Sequence, residues 1–361
     1  MKAKNKDTGV GKNFAAGKET TAGKNAIAAK NSVAPRTVHL PTNVPFISKM
    51  MRFPKDSEIR ESFRQVCGDA GVSGSKKEME SLVIYDMTDG TRTSTDLKGE
   101  DAYFDGGLFC LRLIHFLNAL GAKNVYINVI HEGHKKRANY EDIYKGMKKH
   151  VGVYAEFAKK YNVRLKFLGD YTSRIEPLKL MLRGRIGKDK TSKMEASYRF
   201  DFRSVLGGLE KITAKNAGLA AYFLINYSTK WADKKGARYF RKLPNVNAVI
   251  RHTKGYINGD MWIFDKFDNH TLVYAQNGSS SVNWSDRQLL YLIALSLRSV
   301  KVNEGFHLSK KYAGSESEII RENRERKLEL ADRDFYGGAG EKKLPKRVII
   351  FGPYGPEIYK F

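Results

Sequence analysis

From residue 82 onward the chain alternates short apolar runs with longer amphipathic stretches, and this alternation narrows its fold more than any other feature. An apolar run of about four to eight residues bounded by turn signals suits a strand buried on both faces. The amphipathic stretch after it suits a helix that crosses back over the sheet. Repeated, the pair makes βαβ units and a parallel sheet. The expected strands are residues 82–85, 125–130, 163–168, 219–225, 248–250 and 272–275. The expected fold class is therefore α/β, a single mainly parallel sheet flanked by helices. Between the first two runs, Leu108, Leu111, Phe116, Leu117 and Leu120 form a wide apolar stripe at helical spacing, with Gly121 placed to cap its end. That stripe reads as core. Helical patterns also fit residues 140–161, 200–216 and 284–299, while the basic stretch 187–193 reads as a loop.

The chain outside this region is of a different kind. Residues 1–48 repeat Gly-Lys-Asn-like triplets at a spacing of six, as in Gly11-Lys12-Asn13, Gly17-Lys18-Glu19 and Gly23-Lys24-Asn25. A spacing of six buries no face of a helix or a strand, so this segment is expected to be a disordered, Lys-rich tail. It would serve either as an electrostatic arm for nucleic acid or an anionic membrane surface, or as a solubilising tail without a partner. Residues 49–310 make the expected α/β domain. Residues 311–361 make an extension with a charged helix over 315–333 and a last strand at Val348-Ile349-Ile350-Phe351.

With 64 Lys and Arg against 39 Asp and Glu, the 361-residue chain carries a formal net charge of +25, which points to an anionic partner: nucleic acid, an acidic membrane surface or phosphate esters. The two cysteines, Cys67 and Cys110, are too few for a disulfide framework, and Cys110 falls in the apolar helical stripe as a buried thiol. No apolar run approaches the roughly 20 residues that span a bilayer, and no signal-peptide segment is read at the N-terminus. The expectation is a cytoplasmic protein.

The local sequence richest in chemistry is Leu82-Val83-Ile84-Tyr85-Asp86-Met87-Thr88-Asp89-Gly90-Thr91-Arg92, an apolar strand running straight into acidic and Gly-containing residues. Ligands of open α/β sheets bind at the carboxyl ends of strands. Gly90 would let backbone N–H groups come close to a phosphate, and Arg92 would neutralise its charge. Asp89 would act as a base or hold a hard cation such as Mg²⁺. Asp86 would either pair with Asp89 in acid/base work or sit at the strand end with its carboxylate held by backbone amides.

Met87-Thr88-Asp89-Gly90-Thr91-Arg92 resembles the Asp-Gly-Asn segment that opens the cis-prenyltransferases, the family that includes undecaprenyl diphosphate synthase. Further segments are similar in family order. Tyr161-Asn162-Val163-Arg164 through Gly169-Asp170 is similar to the family's third strand, and Leu224-Ile225-Asn226-Tyr227 to the next strand, ending in Asn-Tyr. Val249-Ile250-Arg251 resembles the strand that delivers a diphosphate-binding arginine. The resemblance implies that Gly90, Thr91, Arg92 and Arg251 bind a substrate diphosphate and that Asp89 is catalytic and holds Mg²⁺. Asn226 is a further site candidate, and a homodimer is implied.

The departures narrow what the resemblance implies. Chain-elongating members follow the arginine strand with Ser-Gly-Glu-x-Arg-x-Ser, which binds isopentenyl diphosphate. Here the chain reads Arg251-His252-Thr253-Lys254-Gly255-Tyr256-Ile257, and neither Ile257 nor Lys254 reproduces a guanidinium fork. Asp-Gly-Thr-Arg without the second arginine motif resembles the tuberculosinol synthase-like diterpene synthases instead. In that branch a diterpenyl diphosphate is ionised and the cation is captured by water or another acceptor. Tyr103, in Asp101-Ala102-Tyr103-Phe104-Asp105, is similarly placed to an aromatic of that branch's active site. The alternatives are a chain-elongating cis-prenyltransferase and a non-catalytic member of the fold that binds nucleic acid or a partner.

Two weaker motifs read as loops. His131-Glu132-Gly133-His134 follows a strand but lacks the helical His-Glu-x-x-His spacing, and Gly337-Gly338-Ala339-Gly340-Glu341-Lys342-Lys343 lacks the Gly-Lys-Ser/Thr ending of a phosphate loop.

Overall fold

Each expected apolar run becomes a strand in the computed structural model: β2 (Val83–Met87), β3 (Asn124–His131), β4 (Arg164–Leu168), β5 (Ala220–Tyr227), β6 (Ala248–Arg251) and β7 (Thr271–Gln276). These six lie side by side and parallel in the order β7-β6-β2-β3-β5-β4. The sheet is extended past β7 by β8 (Arg347–Gly352) and β9 (Gly355–Lys360), both antiparallel to their predecessor, and by the two-residue β1 (Val38–His39) beside β9. The structure describes residues 38–39, 53–88, 97–131, 134, 137, 139–170, 202–252, 263, 265–267, 271–276, 285–308, 347–352 and 355–360. All of these belong to the unit Val33–Phe361. The Lys-rich repeats, the basic stretch 187–193, the helical pattern 315–333 and the glycine run 337–343 lie outside them.

Helices cover the sheet because every residue of its central strand β2 is apolar-facing or sealed; all five are buried. On one face Ile84, Val125, Ile127 and Ile250 join a core with α1 (Asp56–Ala70), α2 (Lys76–Ser81), α3 (Gly99–Leu120), α4 (Tyr140–Tyr161), α5 (Phe202–Thr213) and α8 (Asp286–Leu308). On the other face Val83, Tyr85, Tyr126 and Val249 pack with Ala232 of α6 (Thr229–Lys235), Phe240 of α7 (Ala237–Phe240) and Ile263. The expected stripe is α3, buried along most of its length and ended by Gly121 in the left-handed conformation at φ 93°. Arg112, buried within it, reaches across to Asp286 at the first turn of α8, its Nε donating over 2.9 Å. No helix among the described residues is long and apolar enough to cross a membrane.

The α3–α4 seam is built around an absent side chain. A Cβ on Gly107 would lie 2.1 Å from Cε1 of His150, so glycine makes room for an imidazole between the two helices. That ring stacks on Phe104 at 4.9 Å and donates from Nε2 to the Phe104 carbonyl over 2.7 Å. Gly107→Ala gains about 1 kcal/mol of helix propensity, but it drives the ring from its place, and overpacking typically costs 1 to 3 kcal/mol. We expect a net loss of stability of up to about 2 kcal/mol, read as a lower urea midpoint.

Burial also pulls the His150 pKa down to about 4, opposed by the Phe104 carbonyl. The native state thus refuses a proton that the unfolded chain accepts near pH 6.5. Stability from this group is complete above that value and is lost as pH falls toward 4, a span worth on the order of 3 kcal/mol. The unfolding free energy should drop between pH 7 and pH 4.5 with a slope that His150→Gln flattens.

Candidate active site

In a parallel sheet the chain directions part where neighbouring strands send their connections to opposite sides. Here β2 continues through α3 to β3, while β6, on the other side of β2, continues to β7. A ligand site is therefore expected beyond the carboxyl ends of β2 and β6, where Met87 is in register with Arg251 and Asp86 with Ile250. Side-chain alternation then splits the two strand ends between the faces.

On the α6–α7 face, Arg251 is 2% exposed and brings Nη1 within 3.2 Å of Met87 Sδ. Beside it Asn128 Nδ2 donates to the Tyr85 hydroxyl over 2.7 Å, and Thr88 Oγ1 donates to the Asn128 carbonyl over 2.7 Å. Burial raises the pKa of the Tyr85 hydroxyl far above its ordinary value, although Asn128 and the Arg251 charge oppose the rise. Tyr85 is thus a neutral donor or acceptor here, not a base. On the α3 face Asp86 and His252 are both fully buried, and His252 Nε2 donates to Asp86 Oδ1 over 2.7 Å. The edge of Phe109 covers the imidazole at 6.4 Å. Among the described residues Asp86 Oδ2 has no hydrogen-bond partner. The carboxylate is therefore held by an imidazole, not by the backbone amides expected of a strand-end aspartate.

The expected site residues divide into three groups. Arg251 and Asp86 stand at the switch point, on neighbouring strands. Asn226, next to last in β5, has φ 51° and donates from Nδ2 to the Tyr140 hydroxyl at 3.3 Å and the Asp170 carbonyl at 3.4 Å. With β5 three strands from β6, Asn226 sits roughly 14 Å away across the sheet, at the rim. Tyr103 lies in the first turns of α3, half-buried, and its hydroxyl accepts from Asn139 Nδ2 over 2.7 Å at the start of α4. Asp89, Gly90, Thr91 and Arg92 lie outside the described residues; the nearest described residue, Thr88, leads directly into them.

His252 was not among the expected site residues. Nothing local marks it, since its partner Asp86 is 166 positions away in sequence. His131 ends β3, and its backbone N–H donates to His134 Nδ1 over 2.9 Å, closing a turn. No group of three His, Cys, Asp or Glu among the described residues could hold a metal ion. Asp86 Oδ2 is orphaned but sealed from solvent, so the described residues do not by themselves form a Mg²⁺ site. Neither cysteine is a nucleophile: burial pushes the Cys67 thiol up to about 11 and the Cys110 thiol higher still.

A small apolar cavity of about 40 Å³ lies between the sheet and α4–α5, lined by Val129, Met147, His150, Leu206, Leu209 and Phe223 among others. One water needs about 10 to 15 Å³ on this measure. The cavity as it stands takes a few carbon atoms, not an extended chain.

No family model matches the chain, and no curated protein matches it. Among solved structures, lavandulyl diphosphate synthase from Lavandula x intermedia, in complex with dimethylallyl diphosphate, is similar at a TM-score of 0.43 and 11% identity, over 66% of this chain and 98% of that one. A probable undecaprenyl diphosphate synthase from Campylobacter jejuni is similar at 0.38 and 11%, over 65% and 97%. Likeness at this level carries no argument about activity.

Proposed function

We propose that the protein binds an allylic prenyl diphosphate, of diterpenyl size, at the β2–β6 switch point and ionises it. Pyrophosphate leaves, and water or another acceptor captures the cation. The observation that carries this reading is Arg251, a buried guanidinium fixed at the carboxyl end of β6 and in register with the strand end that runs into Asp89-Gly90-Thr91-Arg92. Breaking an allylic C–O bond puts two electrons on the diphosphate and leaves a carbocation. The site must therefore hold positive charge against the leaving oxygens before the bond breaks. Arg251 and Arg92 would supply it, Gly90 and Thr91 would offer backbone N–H groups, and Tyr103 would offer an aromatic face to the cation. Asp89 would hold Mg²⁺, which when bound would supply positive charge against the diphosphate. The absence of the second arginine motif argues against isopentenyl diphosphate as co-substrate, so chain elongation should fail.

Incubation with farnesyl, geranylgeranyl and cyclised diterpenyl diphosphates, with and without Mg²⁺, tests the reading through pyrophosphate release. Release from at least one, unchanged by isopentenyl diphosphate, is expected. A chain inert toward all of them is not an enzyme of this class. A homodimer, implied by the family resemblance, should then show as twice the 40.9 kDa chain mass in sedimentation.

A second reading, binding of nucleic acid or a protein partner by a non-catalytic member of the fold, is favoured by the charge of +25 and by exposed Lys230, Lys234, Lys235, Arg238, Arg241 and Lys242 along α6–α7. Under it, RNA binding would weaken steeply with salt and would fall when residues 1–48 are removed.

A further inference from the structure

We infer that Asp86 and His252 form a positioning pair that aims Arg251 at the ligand's diphosphate, an inference that rests on the proposed prenyl diphosphate chemistry. The two residues join the ends of the two strands that flank the switch point. Asp86 belongs to β2; His252 is the residue after β6 ends at Arg251. Arg251 and His252 are consecutive and take opposite faces, Arg251 toward Met87 and His252 toward Phe109. Fixing the imidazole on one face therefore fixes the Cα from which the guanidinium leaves on the other. It also fixes the direction in which the chain departs from β6.

Energetics favour a positioning role over a purely stabilising one. A buried carboxylate bonded through one oxygen, with Oδ2 orphaned, costs desolvation that a single hydrogen bond only partly offsets. An apolar pair of equal volume would pack there at no such cost. Asp86 and His252 are as buried as Arg251, and of the three only Arg251 carries a fixed positive charge suited to a diphosphate, so the pair's effect on the ligand is assigned through it.

The test is a double-mutant cycle on binding of inorganic pyrophosphate, followed by calorimetry in the full chain. Outer partners that orient a functional group are typically worth 10-fold or more. Asp86→Asn, which keeps an acceptor of the same shape but loses the charge, should weaken pyrophosphate binding about 10-fold. Arg251→Lys should weaken it at least as much. In the Arg251→Lys background Asp86→Asn should change nothing further, because its route to the ligand has been removed. His252→Gln should behave as Asp86→Asn does, and it serves as the second variant if the first does not fold. Equal losses from Asp86→Asn in both backgrounds, or wild-type binding by a folded Asp86→Asn, overturn the inference and leave the proposed function standing. No binding of pyrophosphate by the wild-type chain overturns both.

Discussion

Arg251→Ala should reduce pyrophosphate release by about 100-fold or more while leaving the far-UV spectrum of the fold in place. The magnitude follows from the work assigned to the guanidinium. A preorganised donor aimed at developing negative charge is typically worth about 3 to 4 kcal/mol of barrier. Arg251 is preorganised in that sense, since it is buried, borne by a strand end and set against Met87. Arg251→Lys should recover only part of the loss, because an ammonium offers a point charge where the fork offered parallel donors. The loss should fall on kcat more than on KM if the charge acts chiefly on the breaking bond. A folded Arg251→Ala variant that retains more than about a tenth of wild-type release would remove Arg251 from the site.

Asp86→Ala should cost on the order of 3 kcal/mol of folding stability. Truncating Asp86 removes the acceptor of the His252 Nε2–H, and His252 has no exposed surface through which water could take the carboxylate's place. The orphaned Oδ2 moderates the figure, since its own desolvation cost disappears with the side chain. Asp86→Asn should cost much less because an acceptor for the Nε2–H remains. Urea unfolding monitored by circular dichroism separates the two variants; a loss below about 1 kcal/mol for alanine would mean that the pair bears little of the fold.

The strands were legible because parallel strands sealed on both faces are written as short apolar runs, and β2 to β7 each overlap the run expected for it. The helix α4 matches its expected span Tyr140–Tyr161, since its apolar positions keep one period throughout. By contrast α1 was not read, although Ile59, Phe63, Val66, Cys67 and Ala70 recur at helical spacing and are buried. The pattern there precedes the first expected strand and lacks a βαβ frame. The helices α6 and α7 are too short for a period to show, and β9 contains Pro356, which weakens a strand signal. The extension thus continues the same sheet, through β8 on β7.

The site was legible only in part, and for a different reason. Arg251 and Asp86 announce themselves as polar residues at the ends of apolar runs. Their partners do not: the Asp86–His252 contact joins strands adjacent in the sheet but far apart in the chain, so only the register of β2 against β6 reveals it. Asn226 ends a matching segment, yet β5 lies across β3 and β2 from Arg251, which places it at the rim.

The central claim turns on Asp89, which follows Thr88 at the carboxyl end of β2. The most direct measurement compares pyrophosphate release from a diterpenyl diphosphate by the wild-type chain and by Asp89→Ala at saturating Mg²⁺. Release by the wild type and its loss by 100-fold or more in the variant is the expected result. Full release by Asp89→Ala would contradict the mechanism.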